Sequence, residues 1–185
     1  MAVQILRKKF TVGQYHQMIE SGILTDRDRV ELLNGEIIEM SPVGRRHAAC
    51  VDRLTELLIL QLASRAIVRA QNPIRLSNDS EPQPDIAILR RRDDFYATGH
   101  PQPADIFLVI EVADTTIEFD RDIKIPNYAQ ENIPEAWLID LNAAVEIFQE
   151  PTAQGYLKYQ RLQAGQRLTI SNFPDVQISV DQILS

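Results

Sequence analysis

The chain has 185 residues, a hydrophobic fraction of 44%, a charged fraction of 24% and a formal net charge of −7. These values are typical of one soluble globular domain, which we expect to span residues 1–185. No apolar run approaches the ~20 residues that a membrane-crossing helix needs, so we expect no membrane span. The negative charge argues against a protein that coats nucleic acid through a basic surface, but it does not exclude a nuclease.

Three features bear on location, packing and surface charge. The first ten residues place their charges after a short apolar patch, the reverse of a secretory signal, which favours a cytoplasmic chain. The single cysteine, Cys50, excludes an internal disulfide and is predicted to pack as a small hydrophobe on a helix. A set of arginines is open to two interpretations, local basic patches or solvated surface: Arg45, Arg46, Arg65, Arg69, Arg75, Arg90, Arg91 and Arg92.

The N-terminal third predicts two helices and a hairpin. Apolar residues at helical spacing behind a Thr11 cap predict a short helix that Gly22 ends. Asn34-Gly35 lies between two strand-like runs, and this dipeptide is a strong signal for a tight hairpin turn. A longer helix is predicted from His47 to about Ala66, with an apolar stripe formed by Val51, Leu54, Leu57, Leu58 and Leu62.

The remainder predicts a sheet interrupted by one helix. A β-like run at 67–76 contains Pro73, and the polar stretch 90–105 is a loop of a length that is often functional or mobile. Pro126 is expected to delay, kink or shorten the helix predicted over 118–132. Further strands are predicted at 85–89, 106–112, 135–140, 145–148, 156–162, 167–170 and 176–180, with a short tail helix after them. The fold class is therefore α/β, with a mixed central sheet flanked by helices and an antiparallel β extension at the C-terminus.

Two predicted strands each carry one carboxylate, Asp85 at the start of the first and Glu111 near the end of the second. The run 106–112 is apolar on both alternating faces, as in a central strand covered by helices, so Glu111 is expected to lie out of water. An ionised carboxylate there needs a partner, and Lys124 follows on the next element. These three residues suit a divalent-metal site with a cation beside it. The alternative is a buried ion triad without chemistry.

Five sequence blocks in this order resemble the Uma-two family of the PD-(D/E)XK restriction-endonuclease-like superfamily. The resemblance covers roughly residues 10 to 150. The blocks are Glu31-Leu32-Leu33-Asn34-Gly35-Glu36 followed by His47, then Gln83-Pro84-Asp85, Val109-Ile110-Glu111-Val112, Asp120 to Lys124 to Tyr128, and Ile133-Pro134-Glu135-Ala136-Trp137-Leu138-Ile139-Asp140.

The resemblance implies a restriction-endonuclease-like domain with the chemistry of a nuclease. The superfamily motif places its lysine two residues after the acidic residue, where this chain has Ala113, and Lys124 on the following helix is the matching lysine. The implied site holds Mg²⁺, with Mn²⁺ as a substitute, on Asp85, Glu111 and the carbonyl of Val112. Lys124 would lie beside the attacking water. DNA is the implied substrate and a homodimer the implied assembly.

Four more residues are candidates for the same site, each with a simpler interpretation. Glu31 matches a glutamate in the family's first block, or it is a solvated hairpin residue. His47 approaches a phosphate or acts as an auxiliary base, or it caps or packs a helix. Tyr128 contacts the substrate or the site, or belongs to the core. Asp120 is an auxiliary residue, or a charge at a helix start or an ion-pair partner of Lys124.

Three functions are consistent with the sequence. The leading prediction is a metal-dependent endonuclease that hydrolyses DNA phosphodiester bonds. The first rival is a non-catalytic module that keeps the nuclease-like fold to bind nucleic acid or protein. The second rival is a metal-dependent hydrolase of a small phosphate ester, which a closed pocket too narrow for a duplex would favour.

Overall fold

The computed structural model describes residues 7–25, 27–115 and 117–184. Most of the N-terminal stretch that was compared with a secretory signal, residues 1–6, lies outside the described residues. Among the helices of the described ranges, none combines the length and the apolar character needed to cross a membrane.

The N-terminal part contains a capped helix and a tight hairpin, both as predicted. Helix α1 (Val12–Glu20) begins after Thr11, whose side-chain oxygen accepts a hydrogen bond from the Gln14 N–H. Strands β1 (Val30–Leu33) and β2 (Glu36–Glu39) pair antiparallel around Asn34 and Gly35. These two residues have φ angles of 49° and 75°, the left-handed conformation that such a turn requires.

Helix α2 (Arg45–Leu62) is the longest helix of the described chain. It begins two residues before the predicted start, and it ends at Leu62 because Ala63 adopts a left-handed φ of 47°. Its apolar stripe is buried and includes Cys50, which confirms that this cysteine packs as a small hydrophobe. Leu54 and Leu58 are fully buried, and each contributes roughly 1.5–3 kcal/mol relative to an exposed side chain.

A six-stranded mixed sheet forms the centre of the fold. In spatial order its strands are β3 (Ile67–Ala70), β4 (Ile86–Leu89), β5 (Ile106–Ala113), β6 (Glu135–Asp140), β7 (Ala144–Thr152) and β8 (Gly155–Leu162). Strands β5 and β6 are parallel, and every other neighbouring pair is antiparallel. The β-like run predicted to reach Leu76 is too long, because Gln71 turns with a φ of 51° and the strand ends at Ala70.

The parallel pair needs a crossover, and a continuous helical segment supplies it. This segment consists of α3 (Ile117–Phe119), a π-helical turn (Asp120–Lys124) and α4 (Ile125–Gln130). Pro126 is the second residue of α4 and directly follows the π-helical turn, so it lies inside the continuous segment and neither delays nor ends it. The Ile125 N–H bonds to the Asp120 carbonyl, five residues back, so the helix continues through the wider turn.

The C-terminal strands complete the core. Strands β9 (Arg167–Ile170) and β10 (Phe173–Ser179) form a separate antiparallel pair, followed by α5 (Val180–Leu184). One apolar cluster joins α2, α5 and this pair to one face of the central sheet. A second cluster packs α4 against the opposite face. The predicted α/β architecture, with a mixed sheet between helices and antiparallel C-terminal strands, is confirmed.

Candidate metal and catalytic centre

Asp85 and Glu111 lie next to each other on adjacent strands. Ile86 of β4 pairs with Ile110 of β5, which brings the residue before Ile86 beside the residue after Ile110. The Oδ2 atom of Asp85 accepts a hydrogen bond from the Val112 N–H at 2.9 Å. Glu111 is 3% exposed, which confirms that its carboxylate lies out of water. The strand register therefore fixes both carboxylates relative to each other.

Lys124 reaches this pair from the π-helical turn. Its Nζ atom lies 3.2 Å from Glu111 Oε1 and 3.3 Å from Glu31 Oε2, and the residue is 6% exposed. Glu31 is also held by the Gln83 N–H, which donates to Oε2 at 3.0 Å. The interpretation of Glu31 as a solvated hairpin residue is wrong, since the chain around Gln83 runs beside β1 and buries it.

Tyr128 and Asp120 flank Lys124 along the same helical segment. The Tyr128 hydroxyl donates to Glu111 Oε1 from a position with no solvent exposure. Tyr128 is therefore both a core residue and a direct support of the carboxylate. Asp120 is 6% exposed and lines the same cleft as Lys124.

His47 lies in the first turn of α2 and contacts Asp85. Its Nε2 atom is 3.0 Å from Asp85 Oδ2, and because a carboxylate oxygen only accepts, Nε2 carries the proton in this bond. That hydrogen bond is the main reason why the pKa of His47 is raised. The Nδ1 atom is buried and has no hydrogen-bond partner among the described residues. His47 thus contacts Asp85, and the N-cap position of α2 is occupied by Gly44.

Burial and neighbouring charges together determine the electrostatics of the cluster. Burial raises the pKa of Glu111 well above its usual value, opposed by Lys124 and reinforced by the neighbouring carboxylates Asp120, Asp85 and Glu31. Burial acts to lower the pKa of Lys124, but the carboxylates around it outweigh that effect and raise it above the usual range. The surrounding carboxylates therefore favour the ammonium form of Lys124 at neutral pH.

A cleft of about 420 Å³ brings these groups to one place. Six predicted site residues line it, together with Val112: Glu31, His47, Asp85, Glu111, Asp120 and Lys124.

The arginines were predicted to form basic patches or solvated surface. Three of them are held by aspartates in the part of the chain that the structure describes: Arg46 by Asp114, Arg65 by Asp175 and Arg92 by Asp94.

Comparison with known proteins places this arrangement in a family. The matching family model is Uma2, described as "Putative restriction endonuclease", and it matches residues 12–181. The chain belongs to the Uma2 family. The resemblance inferred from the sequence blocks is confirmed.

The Uma2 fold is also found in a solved structure. The chain is similar to a protein from Anabaena variabilis ATCC 29413 described as "a putative nuclease belonging to DUF820". The TM-score is 0.72 at 13% sequence identity, and the match covers 95% of this chain and 97% of that one. At this identity the likeness shows a shared fold. No curated protein matches the chain.

Sequence reasoning missed two features of this Uma2 chain. The first is the Gln83 N–H that holds Glu31, because a backbone donor leaves no signal in side-chain patterns. The second is a group formed by His16, Glu81 and His100, which does not line the cleft. These three residues come from distant parts of the chain, and no local spacing indicates that they meet.

Proposed function

We propose that this chain is a divalent-metal-dependent endonuclease that hydrolyses phosphodiester bonds in DNA. Membership of the Uma2 family supports a nuclease function. The observation that carries the finer proposal is the buried Lys124 ammonium between Glu31 and Glu111, with Asp85 on the adjacent strand and a cleft in front of them.

The donor set fits a hard divalent cation. Asp85, Glu111 and the carbonyl of Val112 offer oxygen atoms only, which are the ligands that Mg²⁺ prefers and Mn²⁺ accepts. Glu31, Asp85, Glu111 and Asp120 place four carboxylates around the single ammonium of Lys124 in this cleft, and a bound cation would offset their negative charge. When bound, the ion would lower the pKa of a water molecule and stabilise negative charge on the phosphoryl oxygens.

The remaining residues of the centre have supporting roles in this proposal. Lys124, as a fixed ammonium, orients the attacking water and stabilises charge that develops on the phosphate. Glu31 holds the Lys124 ammonium in place together with Glu111. His47 and Tyr128 are positioning residues, since each hydrogen-bonds to one of the two carboxylates that would bind the ion.

A homodimer is a second part of the proposal. Strand β8 lies at the edge of the central sheet and exposes the apolar side chains of Leu157 and Tyr159, which are 72% and 54% accessible. An exposed apolar pair on an edge strand is a suitable contact for a second copy. Light scattering should give the mass of a dimer, and Leu157→Lys should shift it to that of a monomer. A monomeric wild-type protein would reject this part of the proposal.

Nicking of supercoiled plasmid DNA tests the catalytic proposal. Wild-type protein with Mg²⁺ or Mn²⁺ should convert the plasmid to nicked and linear forms, and chelator should stop the conversion. Asp85→Asn and Glu111→Gln should lose at least about 100-fold in rate, the scale set by removing one group that stabilises transition-state charge. Glu150→Gln is the matched control, because Glu150 pairs with Lys158 at the surface and lies outside the cleft.

The outcomes separate the rival functions. Cleavage that persists in both cleft variants would contradict the proposed centre. DNA binding without cleavage by folded wild-type protein in the presence of metal would favour a non-catalytic module. Hydrolysis of a small phosphate ester without any effect on the plasmid would favour the small-substrate hydrolase.

A further inference from the structure

A second cluster of metal-ligating side chains lies outside the proposed nuclease centre. His16 on α1, Glu81 before β4 and His100 in the long loop between β4 and β5 each offer one ligand atom. The three atoms all lie within 4.8 Å of one another. None of these residues lines the cleft that contains Asp85 and Glu111. The cluster is therefore separate from the proposed nuclease centre.

Glu81 is the central residue of the cluster. It is 4% exposed, its N–H donates to the Leu32 carbonyl at 2.7 Å, and its Oε1 atom lies 2.7 Å from His16 Nε2. Its Oε2 atom is buried and has no hydrogen-bond partner in the described residues. A buried carboxylate oxygen without a hydrogen-bond partner costs free energy. The contact between Glu81 and His16 satisfies Oε1 but leaves Oε2 without a partner.

The two histidines and Glu81 together offer a set of metal-ligand atoms. The imidazole rings of His16 and His100 lie 6.4 Å apart between centroids, in an edge-to-face arrangement. Two imidazole nitrogens and one carboxylate oxygen are ligands that suit zinc and similar borderline divalent ions, with a fourth position for water. His16 has a 40% exposed side chain, which gives an ion access from solvent.

We propose that His16, Glu81 and His100 bind a zinc-type divalent cation. The ion ties α1 and the long loop to the segment at Glu81, which in turn lies beside β1 and Glu31. Ion binding joins three segments that are distant in sequence and satisfies the unpaired oxygen of Glu81. The site is independent of the proposed nuclease activity.

Zinc titration of the full chain against a competing chromogenic chelator tests this proposal. After metal removal, wild-type protein should bind one equivalent of Zn²⁺ at this site, counted separately from any Zn²⁺ held by the cleft carboxylates, and its thermal midpoint should rise when Zn²⁺ is added. His16→Gln and His100→Gln should each weaken binding by more than the 10- to 100-fold that loss of an outer supporting partner costs. Both histidines are partly exposed, and circular dichroism checks that the variants remain folded.

Two controls keep this result separate from the nuclease centre. His47→Gln removes the third of the three histidines in the chain, and Glu111→Gln removes a carboxylate of the cleft. Both variants should bind Zn²⁺ at this site as wild type does. The proposal is overturned if wild-type protein binds no Zn²⁺, if binding survives in both His16→Gln and His100→Gln, or if only the cleft variants lose it.

Discussion

Removal of the Lys124 ammonium should strongly destabilise the metal-free protein. Lys124→Met preserves most of the side-chain volume but leaves Glu31 and Glu111 buried without their cation, at positions 3% exposed. Breaking a buried ion pair in this way costs about 3–5 kcal/mol. With a urea m-value of about 2 kcal/mol/M, the unfolding midpoint should fall by roughly 1.5–2.5 M.

The loss of unfolding free energy caused by Lys124→Met should also depend on pH. The pKa of Glu111 is raised in the folded protein, so this carboxyl takes up a proton at a higher pH than in the unfolded chain. Protonation removes one of the charges that Lys124 would have balanced. The difference in unfolding free energy between wild type and variant should therefore narrow as the pH falls.

Lys158→Met is the matched control, because Lys158 pairs with Glu150 at the surface with both side chains more than half exposed. Such pairs contribute about 0–1 kcal/mol. Urea unfolding followed by fluorescence or circular dichroism measures both variants. If Lys124→Met is as stable as Lys158→Met at neutral pH, the ammonium does not hold the cluster together and the reasoning is refuted.

Three further predictions concern other parts of the fold. Tyr128→Phe removes the hydroxyl that donates to Glu111 and should lower the free energy of unfolding by about 1.5–3 kcal/mol; an unchanged urea midpoint would contradict this contact. Leu54→Ala in the core should cost about 2–5 kcal/mol, whereas Leu60→Ala, at a side chain 72% exposed, should change stability by no more than about 0.5 kcal/mol. Burial raises the pKa of Cys50 to about 11, so iodoacetamide at pH 8 should modify this thiol only after unfolding, and rapid modification of native protein would show that it is accessible.

Much of the architecture could be predicted because its signals are local. The Asn34-Gly35 turn needs positive φ angles, and the run 106–112 is apolar on both faces, so each pattern has few structural interpretations. The sequence could not show how Pro126 is accommodated. The wider π-helical turn before it contains the buried Lys124, and local sequence patterns do not indicate such a turn.

The candidate centre was predictable only in part. Asp85, Glu111 and Lys124 could be named from strand-like runs and a family resemblance. The burial of Glu31 could not, because it depends on the chain around Gln83 crossing β1. The group of His16, Glu81 and His100 was missed for the same physical reason, since tertiary contacts between distant segments leave no periodic pattern.

The central claim is that Asp85 and Glu111 form a metal site, and calorimetric titration with Mn²⁺ tests it without any assumption about substrate. Mn²⁺ accepts similar oxygen ligands and is expected to bind more tightly than Mg²⁺. Wild-type protein and Glu150→Gln should show one Mn²⁺ site that Asp85→Asn and Glu111→Gln both lose. Absence of binding by folded wild-type protein, or equal binding by both cleft variants, would contradict the account.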